Sequence, residues 1–163
     1  MADRVINITV EHAKIHAGEL FFFADRQTTG SVLSYLFRVG PTPLHIRDVI
    51  NVGAGVQIDI YRDVLVTGIT TLGTIQNYNL ASTNVLKSKI YTSFTYSGGT
   101  LYKPNYAGSG ANPGSATNGM SSSDLEYVFA PQKDYVIVLT PSTSNIMLFL
   151  AILYEQDILN VDH

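Results

Sequence analysis

The chain has 163 residues, a formal net charge of −3 and no cysteine. This length fits one domain that buries a sizeable core, and the lack of cysteine excludes disulfides, thiolate metal sites and cysteine nucleophiles. The ten basic residues are scattered, which argues against nucleic acid as the main partner because phosphate binding needs clustered Lys and Arg.

Hydrophobic residues make up 45% of the chain and charged residues 14%, where about a quarter is typical of soluble domains. The surface is therefore predicted to carry mostly Ser, Thr, Asn and Gly, which suits contact with other protein subunits. The N-terminus lacks the apolar region of a signal peptide. The longest apolar run, residues 146–154, is about half of what a membrane-spanning helix needs, so we expect no membrane partner and synthesis in a cytoplasm.

Residues 1–10 are predicted to form an N-terminal arm that contains a short strand. Apolar and polar residues alternate here, which indicates a strand with one solvated face, and the apolar members are Val5, Ile6, Ile8 and Val10. Residues 11–19 follow as one helical turn, a loop or a bent strand, because Gly18 weakens the case for a helix.

Short strands separated by turns are predicted for most of the remaining chain. Periodicity and β-branched content favour strands at residues 32–39, 44–51, 56–61, 64–66, 87–96 and 125–130. Polar or Pro-containing turns separate them, including residues 25–31 and 40–43. Residues 98–123 are rich in Gly, Ser, Asn and Ala and are predicted to form a long surface loop.

Near the C-terminus, residues 134–140 and 146–155 are two apolar runs that flank a five-residue polar turn. They are predicted to form a β-hairpin of two buried strands, which a second sheet must cover. Residues 156–163 are predicted to be a tail. The residues thus predict one all-β domain over 11–155, a sandwich or barrel of about eight to ten short antiparallel strands.

Two histidines four residues apart are the candidates for a metal site. On a helix, His12 and His16 would share one face, and Glu11 and Glu19 are close in sequence. The glutamate is misplaced for the His-Glu-x-x-His pattern of zinc proteases. Exposed polar residues on an entry segment are the better interpretation, so no metal or other cofactor is expected.

Asp59 and Asp63, with Asp48 and Arg62 near in sequence, are the candidates for paired catalytic carboxylates. The favoured interpretation places Asp59 on the solvated face of a strand and Asp63 in the following turn. The chain has no Gly-x-Ser-x-Gly elbow, and the glycine-rich run 108–114 lacks the Lys-Ser/Thr ending of a phosphate loop. No catalytic residue is predicted, and the chain is not expected to be an enzyme.

Aromatic residues are the remaining candidates for a binding surface. They suit either a sugar-binding face or a subunit interface and core, and the second is favoured because tyrosine is enriched at interfaces. The residues concerned are Tyr91, Phe94, Tyr96, Tyr102 and Tyr106. A carbohydrate-binding module therefore remains an alternative.

The order of several segments resembles a family of small virion proteins of tailed bacteriophages. The shared motifs, which span most of the chain, are His-x-x-x-His-x-Gly at 12–18, Pro-Leu-His-Ile-Arg at 43–47, Val-Gln-Ile-Asp-Ile-Tyr-Arg at 56–62, Asn-Tyr-Asn at 77–79, Gly-Gly-Thr-Leu-Tyr at 98–102, and an apolar strand ending in Tyr154 and Glu155.

This resemblance implies a jelly-roll-like head decoration or cement protein without enzymatic activity. Such proteins lie on the outer capsid surface, often as homotrimers, and clamp neighbouring copies of the major capsid protein. The implied location is the virion, after synthesis in the host cytoplasm, with neither nucleic acid nor membrane as a partner. Another virion component, such as a head fibre base or a tail or baseplate protein, is the alternative.

Partner contacts are expected from the N-terminal arm and from the glycine-rich loop. The residues expected to touch the capsid are Val5, Ile6, Ile8, Tyr102 and Tyr106. Deleting residues 2–10 is then expected to abolish capsid attachment without unfolding the domain.

Overall fold

Eleven strands and one short helix are present in the computed structural model, which describes residues 9–27, 30–52, 56–107, 127–141 and 147–157. The elements in chain order are α1 Val10–Ala17, β1 Phe21–Gln27, β2 Leu33–Arg38, β3 Leu44–Val52, β4 Val56–Arg62, β5 Leu65–Leu72, β6 Ile75–Asn77, β7 Lys89–Ser97, β8 Thr100–Ala107, β9 Tyr127–Phe129, β10 Asp134–Pro141 and β11 Met147–Glu155. Within these ranges, no helix has the length and apolar character needed to cross a membrane.

The strands form two antiparallel sheets packed face to face. Sheet A has the order β6-β1-β11-β3-β9, and sheet B has the order β5-β7-β2-β10-β4-β8. Without the inserted strands β5, β6 and β7, each sheet has four strands, and every connection except β4 to β8 passes from one sheet to the other. This is the strand order of a jelly roll, so the predicted all-β sandwich is confirmed.

The two C-terminal strands do not form the predicted hairpin. In sheet B, β10 lies between β2 and β4, whereas β11 lies between β1 and β3 in sheet A. A five-residue polar connection spans the roughly 10 Å between two packed sheets as easily as it closes a hairpin. Each strand is apolar on both faces because it is central in its own sheet and a further layer covers part of its outer face.

Residues 10–17 form a helix, one of the three possibilities that the sequence left open. The Thr9 hydroxyl caps its start by accepting a hydrogen bond from the His12 amide at 3.3 Å. Gly18 ends it in the left-handed conformation, with φ 70°, and donates its amide to Ile15 O at 3.0 Å. The glycine therefore terminates the helix rather than preventing it.

Helix α1 packs across the outer face of sheet A. The Arg47 guanidinium on β3 lies 2.9 Å from the Glu11 carboxylate, and Lys14 Nζ lies 4.5 Å from the centroid of the Tyr154 ring on β11. The alkyl stem of a lysine covers apolar surface while its ammonium group stays solvated. The helix thus shields part of the outer face of β11.

Two segments predicted as turns or loops are strands. Residues 25–27 continue β1, where they pair with residues 147–149 of β11. Residues 100–107 form β8, which pairs with β4 along its whole length. In both cases polar and glycine-rich composition suggested a loop, but pairing with an adjacent apolar strand satisfies the backbone.

The main core lies between the two sheets. Ile58 and Ile60 of β4 face it, as their alternation predicts. The Tyr35 ring stacks on Phe149 with the centroids 4.6 Å apart, and Phe23 meets Tyr35 edge-on at 5.5 Å. These aromatic contacts tie β1 and β11 of sheet A to β2 of sheet B.

Strands β5 and β7 form a two-stranded ribbon that covers part of the outer face of sheet B. In the described chain β7 pairs with β2 over its residues 89–91, and from there it continues with β5 as its partner. Beneath the ribbon, Leu36, Val136 and Val138 form a second buried cluster, against which Ile69 and Tyr96 of the ribbon pack. This outer face is apolar because a third layer shields it from water.

A hydrogen bond between the sheets closes the core near the end of β1. The Tyr35 hydroxyl of sheet B donates to Asp25 Oδ2 of sheet A at 2.7 Å, and Gln27 Nε2 donates to the same oxygen at 3.3 Å. Burial, and then the hydrogen bond to the Asp25 carboxylate and its charge, raise the pKa of Tyr35 well above the usual 10.0.

The raised pKa of Tyr35 predicts a loss of stability at alkaline pH. Below about pH 10 this tyrosine is protonated in both states, whereas above it the unfolded chain releases the proton and the folded chain keeps it. Stability therefore falls as pH rises, and the urea midpoint of Tyr35→Phe should fall less steeply than that of the wild type between about pH 8 and 11. Tyr102→Phe, at an exposed position, should keep the wild-type slope; equal slopes for all three proteins would contradict this account.

Candidate protein-binding surface

The loop of residues 78–88, which joins β6 to β7, exposes apolar side chains. Leu80 is 90% exposed and Val85 is 81% exposed, and Leu72 on β5 is 56% exposed. Leu72 and Val85 line the same small cavity of about 210 Å³ and are therefore surface neighbours. Leu80 lies on the same loop as Val85, five residues earlier in the chain. We therefore treat Leu72, Leu80 and Val85 as one candidate surface, the apolar patch.

Asparagine side chains attach this loop to the end of α1. Asn77 Nδ2 donates to Gly18 O at 2.9 Å, Asn84 Nδ2 donates to the same oxygen at 3.2 Å, and Asn79 Nδ2 donates to His16 O at 3.3 Å. The last carbonyl groups of a helix have no partner within the helix. The three amides supply that partner, and in return the helix holds the loop in place.

Further side-chain hydrogen bonds determine the path of the loop. Asn77 Oδ1 accepts the amide of Asn79 at 2.8 Å, and Asn79 Oδ1 accepts the amide of Ala81 at 3.1 Å. Ser82 Oγ accepts the amide of Asn84 at 3.1 Å. These side chains mimic backbone turns, and they stabilise this path of the loop although its Leu80 and Val85 side chains lie in solvent.

A buried polar network anchors the C-terminal end of the loop. Glu155 Oε1, at the end of β11, accepts both the amide and the hydroxyl of Ser88 at 2.7 Å, and Oε2 accepts the amide of Lys87 at 3.2 Å. Ser88 is 1% exposed, and its Oγ accepts the Gly40 amide at 3.0 Å. Hydrogen bonds to a charged carboxylate are stronger than neutral ones, so sheet A holds the loop at this end.

Gly18→Ala is expected to lower the free energy of unfolding by about 2–3 kcal/mol. A Cβ at this position would lie in a left-handed conformation and 2.7 Å from Ser82 Cβ, against the loop itself. Gly98→Ala is a matched control, because its φ is 64° but no atom lies within 4 Å of the added Cβ. It should cost about 1 kcal/mol from backbone strain alone. Urea unfolding measures the free energy of unfolding of both variants. An equal loss in the two would show that the contact between Gly18 and the loop does not contribute to stability.

The apolar patch is suited to binding another protein. Residues 78–86 carry no charged side chain, and the bracing hydrogen bonds mean that little conformational entropy is lost when a partner covers the loop. Burying an exposed leucine or valine side chain against a partner contributes free energy in proportion to the apolar area removed from water. Because the patch consists of apolar side chains on a braced loop, we assign it to recognition of another protein.

Tyr102, a predicted contact residue, lies on β8 at the opposite edge of the sandwich from this loop. Its side chain is 57% exposed, and the guanidinium carbon of Arg62 lies 5.7 Å from the ring centroid. Together with Tyr127 and Tyr135 it lines a cavity of about 160 Å³. Tyr102 is therefore accessible to a partner but separate from the apolar patch.

The other predicted contact residues are not gathered into one described surface. Tyr106 lies further along β8, opposite Gln57 of β4 in the strand register. Val5, Ile6 and Ile8 lie outside the described residues, as do residues 108–123 of the predicted glycine-rich loop.

The deletion of residues 2–10 proposed to test the N-terminal arm must be shortened, because it would extend into α1. Thr9 caps α1 and Val10 begins it, so deleting residues 2–10 would remove part of the fold along with the arm. Deleting residues 2–8 instead should weaken capsid attachment and leave the urea midpoint unchanged, if the arm is a contact. Unchanged attachment of this shorter deletion would exclude the arm from the interface.

His12 and His16 lie on one face of α1, as their spacing predicts for a helix. Their Nε2 atoms are 3.0 Å apart, and both side chains are exposed. Glu11 pairs with Arg47, and Glu19 lies 4.0 Å from Lys14 Nζ. No group of three or more metal-ligating side chains occurs among the described residues.

The predicted environment of Asp59 is wrong. Its side chain is 7% exposed, and Oδ2 accepts a hydrogen bond from Gln57 Nε2 at 2.9 Å. Its cross-strand neighbour Val138 belongs to the cluster beneath the ribbon, so this face of β4 is not solvated as the alternation suggested. Asp63 does lie in the exposed turn after β4, with Arg62 Nε 3.8 Å from its carboxylate.

Sequence reasoning did not identify the apolar patch. The aromatic residues Tyr91, Phe94 and Tyr96 were candidates for a binding surface, but they pack against the cluster beneath the ribbon. The sequence feature that could have predicted the patch is the occurrence of Leu80 and Val85 in a segment rich in asparagine, serine and threonine. No known protein family, curated protein or solved structure matches the chain.

Proposed function

We propose that the chain is a non-enzymatic structural protein of a tailed-phage virion that binds the outer surface of the major capsid protein shell. The observation that carries this proposal is the apolar patch on a loop held rigid from both ends. A chain that keeps leucine and valine side chains in water on an ordered loop gains nothing for its own folding. When another protein surface covers these side chains, the free energy of removing their apolar area from water stabilises the complex.

The resemblance to phage virion proteins supports the same proposal. Its motifs fall on the residues that hold the loop: Gly18 ends α1, Asn77 and Asn79 brace the turn, and Glu155 anchors the base. The jelly roll is compatible, since this architecture occurs in viral capsid domains and also in lectins, but a fold alone does not assign a function.

A homotrimer is part of the proposal. Closed symmetric assemblies present several copies of one surface to a symmetric partner, and the effective concentration of the second and third contacts multiplies a modest affinity. A chain with only 14% charged residues and a small apolar patch suits such a contact. The mass of the assembly in solution tests this part separately.

Quantitative mass spectrometry of purified particles that encode the chain tests the proposal. A decoration protein should be present at hundreds of copies, in a fixed ratio to the major capsid protein. A handful of copies would instead favour a head fibre base or a tail or baseplate component. Absence from particles would overturn the virion assignment.

A further inference from the structure

A cleft of about 640 Å³ opens on the side of the sandwich where β1 and β2 lie. In the described chain, β6 pairs with β1 over residues 21–23 and β7 pairs with β2 over residues 36–38. Neither pairing reaches Asp25 or Ser34, so both sheets lose their outer partner strand at this point. The ribbon, through Thr92 and Phe94, provides a third wall.

The lining of this cleft is polar where an extension of the core would be apolar. The inward-facing row of β1 changes from Phe21 and Phe23 to Asp25 and Gln27. Hydroxyl side chains line the other walls: Ser34, Thr74, Thr92 and Ser93. The volume falls within the range of small-molecule sites, in which a few placed polar groups set the orientation of the ligand.

The Asp25 carboxylate is held in a fixed orientation. Tyr35, which is buried and stacked on Phe149, donates its hydroxyl at 2.7 Å, and Gln27 Nε2 donates at 3.3 Å. A carboxylate accepts about four hydrogen bonds, so acceptor capacity remains for a ligand. A group that is oriented before binding loses little entropy when the ligand arrives.

We propose that this cleft binds a neutral saccharide. The edge of a sugar ring presents adjacent hydroxyl groups, which match the carboxylate, amide and hydroxyl groups of the cleft. One face of the ring presents C–H groups, which match the exposed apolar side chain of Val32 in the lining. This site is distinct from the apolar patch, and its function does not depend on the capsid role.

Other ligand classes fit the cleft less well. Asp25 is the one charged side chain among the described lining residues, and its charge disfavours phosphate or another anion. Calcium takes about six to eight oxygen ligands, usually from more than one carboxylate. An extended peptide could pair with the open strand edges, but it would leave the hydroxyl-rich walls without matched partners.

Nitrogen-15 NMR of the full chain, titrated separately with methyl α-D-glucopyranoside, methyl β-D-galactopyranoside and methyl α-D-mannopyranoside, tests the proposal. At least one glycoside should give saturable shifts at the amides of Asp25, Gln27 and Thr92, and none at Leu80 in the apolar patch. No saturable shift with any of the three would overturn it. Shifts with a capped peptide of alternating threonine and valine, without shifts from the glycosides, would replace it by strand pairing.

Variants show whether the response comes from this cleft. Asp25→Asn should weaken glycoside binding about tenfold, and Asp63→Asn, at the exposed turn, should leave it unchanged. Because Asp25 also supports Tyr35, Thr92→Val serves as a second variant that changes an exposed residue of the wall. It should weaken binding about threefold or more, and wild-type affinity in both cleft variants would overturn the assignment.

Discussion

Replacing Leu80 and Val85 together by serine is expected to weaken binding to the capsid shell by at least about a hundredfold and to leave the free energy of unfolding almost unchanged. Both side chains are nearly fully exposed in the isolated chain, so they contribute little to folding. Burying each of them in a partner contributes about 1.5–3 kcal/mol. Co-sedimentation with shells that lack the protein measures the affinity, and urea unfolding measures the stability.

Leu65→Ser is the matched control for the double variant. Leu65 is also an exposed leucine, but it lies at the other end of β5 from Leu72. It should bind shells as the wild type does. An equal loss in the control would mean that general apolar exposure drives association, and full binding by the double variant would exclude the loop as the contact.

Glu155→Ala is expected to lower the free energy of unfolding by about 3 kcal/mol. The substitution removes the acceptor for the Ser88 amide and hydroxyl and for the Lys87 amide. The Ser88 amide would then lie buried without a partner, at a residue that is 1% exposed. Urea unfolding at neutral pH gives the change in midpoint.

Glu155→Gln is an intermediate variant for this prediction, and Asp157→Ala is the control. Glutamine keeps the shape and one acceptor oxygen, so its cost should be about half that of alanine. Asp157 is exposed, and removing its charge should change stability by less than about 0.5 kcal/mol. A cost for Glu155→Ala as small as that for Asp157→Ala would show that the network does not anchor the loop.

The positions of most strands and the faces they bury were predictable from the sequence. Ile58 and Ile60 alternate with polar residues because neighbouring side chains on a strand point to opposite faces, and both lie in the core as expected. The exceptions were strands within segments predicted as loops, such as β8. Its Pro104 and Asn105 and the neighbouring glycines suggested a loop, but Thr100, Tyr102 and Tyr106 are residue types that favour strands, and β8 pairs with β4.

The candidate site was much less predictable. Tyr102 is exposed as expected of a contact residue, but the apolar patch consists of Leu72, Leu80 and Val85. Their exposure depends on hydrogen bonds between the loop and the end of α1, for example from Asn77 to Gly18. These residues are 59 positions apart in sequence, and no periodicity within either segment shows that they meet.

The class of the fold follows from local pattern: alternating apolar and polar residues, short segments and frequent turns leave an all-β sandwich as the arrangement that buries the apolar residues. Local pattern does not predict that β10 and β11 lie in different sheets, that Asp59 is buried, that the ribbon packs against the cluster containing Val138, or that Leu80 lies in solvent. The reason is physical. Strand faces follow from local geometry, whereas strand partners and the exposure of a loop follow from contacts between residues far apart in the chain.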